Sequence, residues 1–302
     1  MDICLLGTGG TMPLPERALT SLLIRHNGRN ILIDCGEGTQ VMIRKSGFSL
    51  NRIDAVLITH FHADHISGLP GLLLSIGKSE RKEPVKIIGC KGISNIVKSL
   101  CVIAHELPFE LEFTELDNEQ GVFIINELCI NYLFLCHRVP CYGYSITLKR
   151  AGKFLPENAA ALGIEQRYWG LLQKGETIES NGKFFTPDMV LGTPRKGLKV
   201  TYCTDTRPTP EMAGFAQNSD LFVCEGMYAN DDMLEQAVTK RHMLFSEAAK
   251  IARDANVSEL WLTHFSPSLK DPYEYKDFAS SLFENTVIPY ELQCKCLEFE
   301  RK

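Results

Sequence analysis

Short apolar segments alternate with polar turns along the first half of the chain and predict a mixed α/β protein. Amphipathic stretches at residues 39–45 and 93–101 predict helices. Apolar or alternating runs of strand length surround them, at residues 2–6, 21–26, 30–34, 53–59 and 85–88. Strands interleaved with helices in this way are typical of an α/β fold.

The second half continues this alternation up to residue 263. Residues 245–254 predict one amphipathic helix. Strands are predicted at residues 111–116, 121–125, 129–136, 142–148, 198–204, 221–225 and 259–263. Periodicity alone leaves two architectures open: one doubly wound sheet, or two sheets covered on their outer faces by helices.

The pattern weakens between residues 152 and 197, which are rich in glycine, proline and charge. Residues 149–199 hold nine lysines or arginines against five acidic residues, whereas the whole chain has a formal net charge of −5. We therefore expect one catalytic domain, residues 1–302, carrying residues 152–197 as an inserted arm. The local positive charge favours contacts with phosphates.

Length and composition are those of an ordinary globular protein. A chain of 302 residues is long enough for one large domain or two average ones. No apolar run approaches the ~20 residues of a membrane helix, and the N-terminus has no signal-peptide pattern. We expect a cytoplasmic protein without a membrane partner.

The eleven cysteines include no CxxC pair, so neither a disulfide framework nor a cysteine zinc site is predicted. Most are expected to be buried small apolar residues. Cys294 and Cys296 have a spacing of two, which favours a place along a strand.

A cluster of metal-binding residue types follows the predicted strand at residues 53–59. It reads HxHxDH and contains His60, His62, Asp64 and His65. Imidazole and carboxylate groups bind zinc or manganese. This loop predicts a metal site.

Three further candidates follow other predicted strands: His137, Asp205 and His264. Open α/β sheets place their sites at the carboxyl ends of strands. Each residue taken singly is more simply a hydrogen-bonded loop residue. Together with the HxHxDH loop, they favour a single metal centre.

Two further features have simpler interpretations. Gly7-Thr8-Gly9-Gly10 lacks the lysine of a phosphate-binding loop and predicts a tight turn beside the site. His26 and His105 belong to no cluster, and we expect them to be structural or exposed.

The HxHxDH motif, followed in order by His137, Asp205 and His264, resembles the series of metal-binding motifs in the metallo-β-lactamase superfamily. Within it, the chain resembles the ribonuclease Z family, endonucleases that remove the 3′ trailer from precursor tRNA. The HxHxDH motif marks only the superfamily. More particular to the family are DCGEGTQ at residues 34–40 and SGLPGLL at 67–73, with LGTGG at 6–10 and LTHFS at 262–266 in support.

The resemblance implies a four-layer αββα sandwich that binds two zinc ions, at sites that also accept manganese or iron. It assigns His60, His62 and His137 to one ion. Asp64, His65 and His264 would hold the other, and Asp205 would bridge the two. Water between the ions would be the nucleophile, and Asp64 would orient it or accept its proton.

The family also assigns protonation of the leaving oxygen to a histidine assisted by an acid, which here correspond to His242 and Glu225. Two departures stand nearby. Family members commonly read His-Glu-Ala-Thr where this chain has Cys224-Glu225-Gly226-Met227, and a small hydroxyl residue stands where this chain has Leu244. The alternative is an ordinary strand-end glutamate and a solvated histidine.

The resemblance implies that the insertion corresponds to the arm that binds tRNA in bacterial members of the family. It also implies a homodimer, the usual state of these enzymes. Tyr168 and Trp169 either stack on a nucleotide or anchor the insertion. Arg17 lies in a loop that senses the CCA end of tRNA in the family, where Pro15 and Ala18 depart from the family pattern. Candidate RNA contacts are Arg17, Lys153, Arg167, Tyr168, Trp169, Arg195 and Lys196.

The leading hypothesis is a zinc-dependent endoribonuclease that acts on precursor tRNA and leaves a 3′-hydroxyl. The alternative is a phosphodiesterase for cyclic nucleotides or other small molecules on the same fold. A di-iron oxidoreductase would substitute a carboxylate for a motif histidine and recruit a flavin domain, so no flavin is expected. An RNA-binding pseudo-enzyme is disfavoured because all seven metal-ligand positions are filled.

Overall fold

A computed structural model of the protein describes residues 1–104, 106–180 and 182–300, so the expectation for His105 lies outside the described residues. The described residues form two seven-stranded sheets and one separate hairpin. The strands are β1 (Asp2–Gly7), β2 (Ser21–His26), β3 (Arg29–Ile33), β4 (Ile53–Leu57), β5 (Val85–Cys90), β6 (Leu111–Leu116), β7 (Gln120–Ile125), β8 (Leu128–Phe134), β9 (Tyr142–Arg150), β10 (Ile178–Ser180), β11 (Lys183–Phe185), β12 (Arg195–Cys203), β13 (Leu221–Glu225), β14 (Leu260–Thr263), β15 (Thr286–Val287) and β16 (Gln293–Cys296).

The helices are short, and among the described residues no helix has the length and apolar character needed to span a membrane. The α-helices are α1 (Thr39–Lys45), α2 (Ala63–Ile66), α3 (Leu69–Gly77), α4 (Ile93–Leu100), α5 (Pro156–Ala161), α6 (Trp169–Gln173), α7 (Glu211–Ala216), α8 (Leu234–Lys240), α9 (Phe245–Asp254) and α10 (Lys276–Leu282). Single 3₁₀ turns occupy Leu50–Arg52, Cys101–Ala104, Gln166–Tyr168, Pro187–Met189, Asp231–Met233 and Pro272–Tyr275.

The two sheets have the same mixed design. The first has the order β16-β1-β2-β3-β4-β5-β6, and the second has the order β15-β14-β13-β12-β9-β8-β7. In the first sheet, β3 to β6 are parallel. In the second sheet, β12 to β15 are parallel. The remaining pairs of each sheet are antiparallel.

Three apolar clusters define four layers. The largest joins the inner faces of the two sheets, for example through Leu5, Ile33, Tyr144 and Trp261. A second packs the first sheet against α1, α3 and α4. A third packs the second sheet against α7, α9 and α10. This arrangement confirms the four-layer αββα sandwich and excludes a single doubly wound sheet.

Most predicted elements are confirmed, and several have the predicted bounds, including β2, β6, β13, α1 and α9. The main differences lie at strand ends. The strand predicted over residues 129–136 ends at Phe134, because Leu135 donates its N–H to the Cys141 carbonyl and closes a turn. Cys294 and Cys296 do lie along a strand, β16.

The inserted segment has a small core of its own. Six buried residues form it: Ala159, Ile164, Leu172, Ile178, Phe185 and Val190. Its two chain ends meet where Gly152 approaches Gly192 so closely that a Cβ on Gly152 would lie 1.9 Å from the Gly192 carbonyl oxygen. The arm is therefore a folded unit on a narrow stem.

The strand directions place the arm and the predicted metal residues at opposite ends of the strands of the second sheet. Asp205 follows the carboxyl end of β12, whereas the arm precedes its amino end at Arg195. A strand of nine residues spans about 26 Å. The arm stem is consequently far from its own chain's metal residues.

Candidate metal centre

The HxHxDH loop begins where β4 has ended and the short helix α2 starts. His60 is fully buried, and His62 precedes the first helical residue. Asp64 and His65 lie on α2, and the His65 ring lies beside that of His60, with centroids 4.2 Å apart. The turn from strand to helix thus divides one motif between two neighbouring positions.

The first group of ligand atoms comes from His60, His62, His137 and Asp205. Nδ1 of His62 lies 3.0 Å from Nε2 of His60 and 3.3 Å from Nε2 of His137. Oδ2 of Asp205 lies 3.6 Å from Nε2 of His60 and 3.7 Å from Nε2 of His137. Four ligand atoms therefore surround one point.

The second group comes from Asp64, His65 and His264, and the other oxygen of Asp205 completes it. Nε2 of His65 lies 3.3 Å from Nε2 of His264, and each of these atoms lies 3.4 Å from Oδ2 of Asp64. Oδ1 of Asp205 lies 3.3 Å from His65 Nε2 and 3.1 Å from His264 Nε2. Asp205 belongs to both groups.

These separations fit divalent cations with tetrahedral coordination. Metal–ligand distances of about 2.0–2.2 Å place the ligand atoms about 3.3–3.6 Å apart. His137 donates from Nδ1 to the Arg241 carbonyl at 3.1 Å, so the lone pair of its Nε2 points toward the centre. Converging lone pairs and carboxylate oxygens repel one another unless a cation lies between them.

Burial gives most of these groups the charge state that metal ligands need. Burial lowers the pKa of His60 well below its usual value and also lowers the pKa of His137. Burial alone would raise the pKa of Asp205, but His264 and His65 outweigh it and hold that pKa well below the usual range. Neutral imidazoles and an ionised carboxylate are the forms that bind metals.

Asp34, which lies within the DCGEGTQ segment, supports the candidate ligand His65. Its fully buried carboxylate accepts a hydrogen bond from Nδ1 of His65 at 2.8 Å and from the Thr59 N–H at 2.8 Å. Burial opposes protonation of His65, yet Asp205 and Asp34 raise its pKa well above the usual value. A carboxylate behind a ligating histidine fixes the ring and strengthens it as a ligand.

Three residues of the centre have left-handed backbone conformations. The φ angles are 62° at Asp34, 54° at Asp205 and 58° at His264. Such angles cost energy for residues other than glycine and persist where the surrounding structure holds them. Each residue lies one or two positions after the end of a strand, at a turn from which its side chain contacts the candidate ligands.

The predicted glycine turn lies against the second group of ligands. A Cβ on Gly10 would stand 2.7 Å from Cε1 and 2.8 Å from Nε2 of His264. The Gly10 N–H also donates to the Phe265 carbonyl at 3.0 Å. This hydrogen bond opposes a shift of the turn away from the His264 ring. Only glycine leaves room for this ring.

We expect Gly10→Ala to displace the His264 ring and weaken the binding of one metal ion by roughly 10–100-fold, as the loss of a supporting contact does. Competition with a chromophoric chelator measures this affinity. Gly214→Ala is the matched control, because a Cβ there meets nothing within 4 Å. Equal metal affinity in both variants would contradict the expectation.

His242 and Glu225 form an ion pair beside the two ligand groups. Nδ1 of His242 lies 3.0 Å from Oε2 of the fully buried Glu225. The His242 ring stacks on that of His264, with centroids 5.5 Å apart. Burial alone would lower the pKa of His242, but the Glu225 carboxylate outweighs it and raises this pKa to about 9. The Glu225 carboxylate therefore favours the protonated form of His242.

Arg207 fixes the backbone of His242, a role that the sequence did not indicate. Its Nη1 donates to the His242 carbonyl at 2.6 Å and to Oε2 of Glu247 at 2.8 Å. Oε2 of Glu247 also accepts the Leu244 N–H at 3.0 Å at the start of α9. Arg207 stands two residues after Asp205, so one loop supports both the metal ligands and His242.

The two departures from the family pattern pack together. Met227 and Leu244 are both buried in one small apolar cluster with Tyr228 and Ala237. Leu244 precedes α9 without a side-chain hydroxyl, so its side chain does not cap the helix, but the carboxylate of Glu247 still accepts the N–H of Leu244. At this wall of the site the Leu244 side chain makes apolar contacts.

A cavity of about 680 Å³ opens above the ligand groups. His62, Asp64, Asp205, His242 and His264 form its floor, and the other lining residues are Thr11, His137, Arg138, Met227, Tyr228, Met233, Gln236, Lys240, Ser266, Pro267 and Ser268. Arg138 and Lys240 give the rim positive charge. The cavity suits an anionic substrate.

Arg17 does not present its guanidinium to this cavity. Its side chain is buried, and Nη2 donates to the carbonyls of Leu269 at 2.9 Å and Lys270 at 2.8 Å. Nη1 donates to the Ser266 carbonyl at 3.3 Å. Arg17 thus holds the loop that carries the serines of the cavity rim.

The other candidate RNA contacts belong to the arm and its stem. Trp169 donates to the Ile164 carbonyl at 3.0 Å and packs with Phe154 in the arm core, which favours the anchoring interpretation. Tyr168 lies beneath the exposed guanidinium of Arg167 at 4.7 Å. The stem residues Lys153, Arg195 and Lys196 line a cavity. This cavity lies at the end of the strands opposite the candidate metal centre.

Two family models match parts of the chain. The family described as Beta-lactamase superfamily domain matches residues 188–265, and the family described as Anti-Pycsar protein Apyc1 matches residues 1–102. The structure of human tRNase Z, short form, aligns with a TM-score of 0.70 at 22% identity, covering 99% of this chain and 100% of that one. Fold and site define a metal-dependent hydrolase of the metallo-β-lactamase superfamily.

Curated relatives narrow this class. Ribonuclease Z of Lachnoclostridium phytofermentans is 51% identical over 100% of this chain and 99% of its own length. Ribonuclease Z of Clostridium kluyveri is 49% identical, covering 99% of each chain. The chain belongs to the ribonuclease Z family and is an endoribonuclease, which confirms the resemblance seen in its sequence.

Proposed function

We propose that this endoribonuclease removes the 3′ trailer of precursor tRNA by two-metal hydrolysis of one phosphodiester, leaving a 3′-hydroxyl on the tRNA. The observation that carries the proposal is the pair of ligand groups sharing Asp205, with the His242–Glu225 pair beside them. We place the reaction in the cytoplasm, where precursor tRNA would be the partner.

In this proposal the two cations are zinc, with manganese or iron as acceptable substitutes for the same nitrogen and oxygen ligands. His60, His62 and His137 would hold one, Asp64, His65 and His264 would hold the other, and Asp205 would contribute one oxygen to each. When bound, the two ions neutralise charge on the phosphate and lower the pKa of water toward neutrality. The donor set fits, because imidazole nitrogens and carboxylate oxygens are groups that bind these cations.

The side chains then divide the remaining work. Oδ2 of Asp64 accepts the Thr11 N–H at 2.6 Å, which fixes the carboxylate where it orients the attacking water or accepts its proton. Nδ1 of His242 is occupied by Glu225, so Nε2 is the atom that delivers a proton to the leaving oxygen. Arg138 and Lys240 on the rim attract the phosphates that flank the cleaved bond.

A direct test compares two substrates. Purified protein loaded with Zn²⁺ is incubated with a precursor tRNA and with bis-p-nitrophenyl phosphate. The proposal expects cleavage after the discriminator nucleotide, with a 3′-hydroxyl on the tRNA. Hydrolysis of the small ester without tRNA cleavage would favour the alternative, a small-molecule phosphodiesterase, which the full-length ribonuclease Z relatives support less well.

We further propose that the protein acts as a homodimer and that the arm grips the tRNA. The arm stem lies about 26 Å from its own metal centre, the length of β12. It therefore contacts either a distant part of the tRNA or a tRNA bound to the partner's centre. Light scattering coupled to size-exclusion chromatography tests the dimer.

Replacing residues 151–194 with Asn-Gly should remove the arm without disturbing the sheet, because Arg150 and Arg195 are paired neighbours on β9 and β12 and Asn-Gly closes such hairpins. We expect the affinity for precursor tRNA to fall roughly tenfold or more, with a smaller salt dependence, since phosphate contacts are lost. Hydrolysis of bis-p-nitrophenyl phosphate provides the internal control. An equal loss on both substrates would rule out an arm that serves only RNA binding.

A further inference from the structure

Two cysteines face each other across the first and last strands of the chain. Cys4 on β1 is the register partner of Cys294 on β16. Met1 and Leu297 exchange both backbone hydrogen bonds, at 2.9 and 2.8 Å. Because antiparallel pairs alternate, Cys4 and Cys294 form a non-hydrogen-bonded pair, in which Cα atoms lie about 4.5 Å apart. This separation is within the range of disulfides.

The two thiols have different environments. Cys4 is fully buried beneath the helical layer. Its side chain lies on the same face of the sheet as that of Cys294, because directly paired residues of neighbouring strands point to one side. Cys294 is exposed and lines a cavity of about 310 Å³ with Arg25, Phe48 and Cys296. A small oxidant reaches Cys294 from solvent, and the second thiol lies directly behind it.

We propose that Cys4 and Cys294 are a site of reversible oxidation by peroxide, which joins the two ends of the chain by a disulfide. The Cys294 thiolate attacks one peroxide oxygen, the O–O bond breaks, and water leaves once a proton is taken up. Cys4 sulfur then attacks the resulting sulfenic acid and releases a second water. Two thiols lose two electrons, and the peroxide accepts them.

Oxidation changes the stability of the fold because the bond closes a loop that includes almost the whole chain. Long loops lose the most entropy in the unfolded state. β16 is an edge strand held by a single neighbour, β1, which leads directly into the turn at Gly10 beside His264. The disulfide keeps β16 on this edge.

The test is to treat the metal-loaded protein with hydrogen peroxide, block free thiols, and map disulfides by mass spectrometry. We expect a peptide joined through Cys4 and Cys294, and a midpoint of thermal unfolding raised by roughly 5–10 °C. Dithiothreitol should reverse both changes.

Cys294→Ser should abolish the linked peptide and the thermal shift. Cys296→Ser is the matched control, since Cys296 is also exposed on β16 but faces Asp2, and it should retain both effects. Cys4→Ala should leave Cys294 oxidised without a linked peptide. A Cys294–Cys296 bond, irreversible oxidation of Cys294 alone, or an unchanged midpoint in the linked protein would overturn the proposal.

Discussion

Asp205→Ala is expected to reduce cleavage of precursor tRNA about a thousandfold or more and to lower the metal content below two ions per chain. Its two oxygens complete both ligand groups, at 3.1–3.3 Å from His65 and His264 and at 3.6–3.7 Å from His60 and His137. Two-metal sites contribute several kcal/mol to the stabilisation of the transition state, and each ~1.4 kcal/mol is tenfold in rate. Plasma mass spectrometry of dialysed protein and single-turnover cleavage measure the two effects.

The control for this variant is Asp254→Ala, an exposed carboxylate on α9 that forms an ion pair with Lys250. It should retain metal and activity. Asp205→Asn separates charge from shape, because it keeps the volume and one oxygen ligand; we expect intermediate metal loss. A fully active Asp205→Ala protein with two ions bound would remove the bridging role altogether.

His242→Ala is expected to slow RNA cleavage by about 10²–10⁴-fold, the usual contribution of general acid catalysis. The leaving group of RNA is a poorly stabilised alkoxide that needs a proton. p-Nitrophenolate leaves without one. The loss should therefore be much smaller with bis-p-nitrophenyl phosphate, and kcat rather than KM should change. Steady-state kinetics on both substrates check this difference.

Glu225→Gln tests the His242–Glu225 pair through the pH dependence of the cleavage rate. The Glu225 carboxylate raises the pKa of His242 to about 9 against the effect of burial, so the acid form persists through neutral pH. Removing this charge lowers the pKa of His242, and the proton is lost at lower pH as pH rises. The basic limb of the pH–rate profile should therefore move to lower pH, with activity partly retained at acidic pH.

A matched pair elsewhere provides the control for both variants. His26 lies 3.0 Å from Glu127 in another histidine–glutamate pair, away from the cavity. His26→Ala should leave the cleavage rates of both substrates and the pH–rate profile unchanged. If His242→Ala slowed the cleavage of both substrates by the same factor, His242 would be a structural support for the site and not the proton donor.

The sequence alone determined the strands and the residue types at their ends. Apolar runs of strand length are local, and the carboxyl ends of parallel strands meet at one edge, so His60, His137, Asp205 and His264 could be singled out before any coordinates. The glycine turn beside the site was also predictable, because a missing lysine excluded a phosphate loop. Family-specific segments supplied the remaining functional detail.

Only the tertiary structure decided how these residues are combined. Asp64 and His264 stand 200 positions apart along the chain yet lie 3.4 Å from each other, a proximity that the packing of two sheets creates. Asp34 behind His65 and Arg207 behind His242 depend on the same packing. Sequence periodicity reports the face of one element at a time, and therefore does not report contacts between elements.

The arm and Arg17 show the same limit for substrate contacts. Positive charge in the sequence suggested RNA contacts, but strand direction places the arm stem at the edge opposite the metal centre. Folding buries the Arg17 guanidinium against three backbone carbonyls. The sequence thus determined which chemical groups the protein has, and the tertiary structure decided which of them meet, because long-range packing fixes distance and exposure.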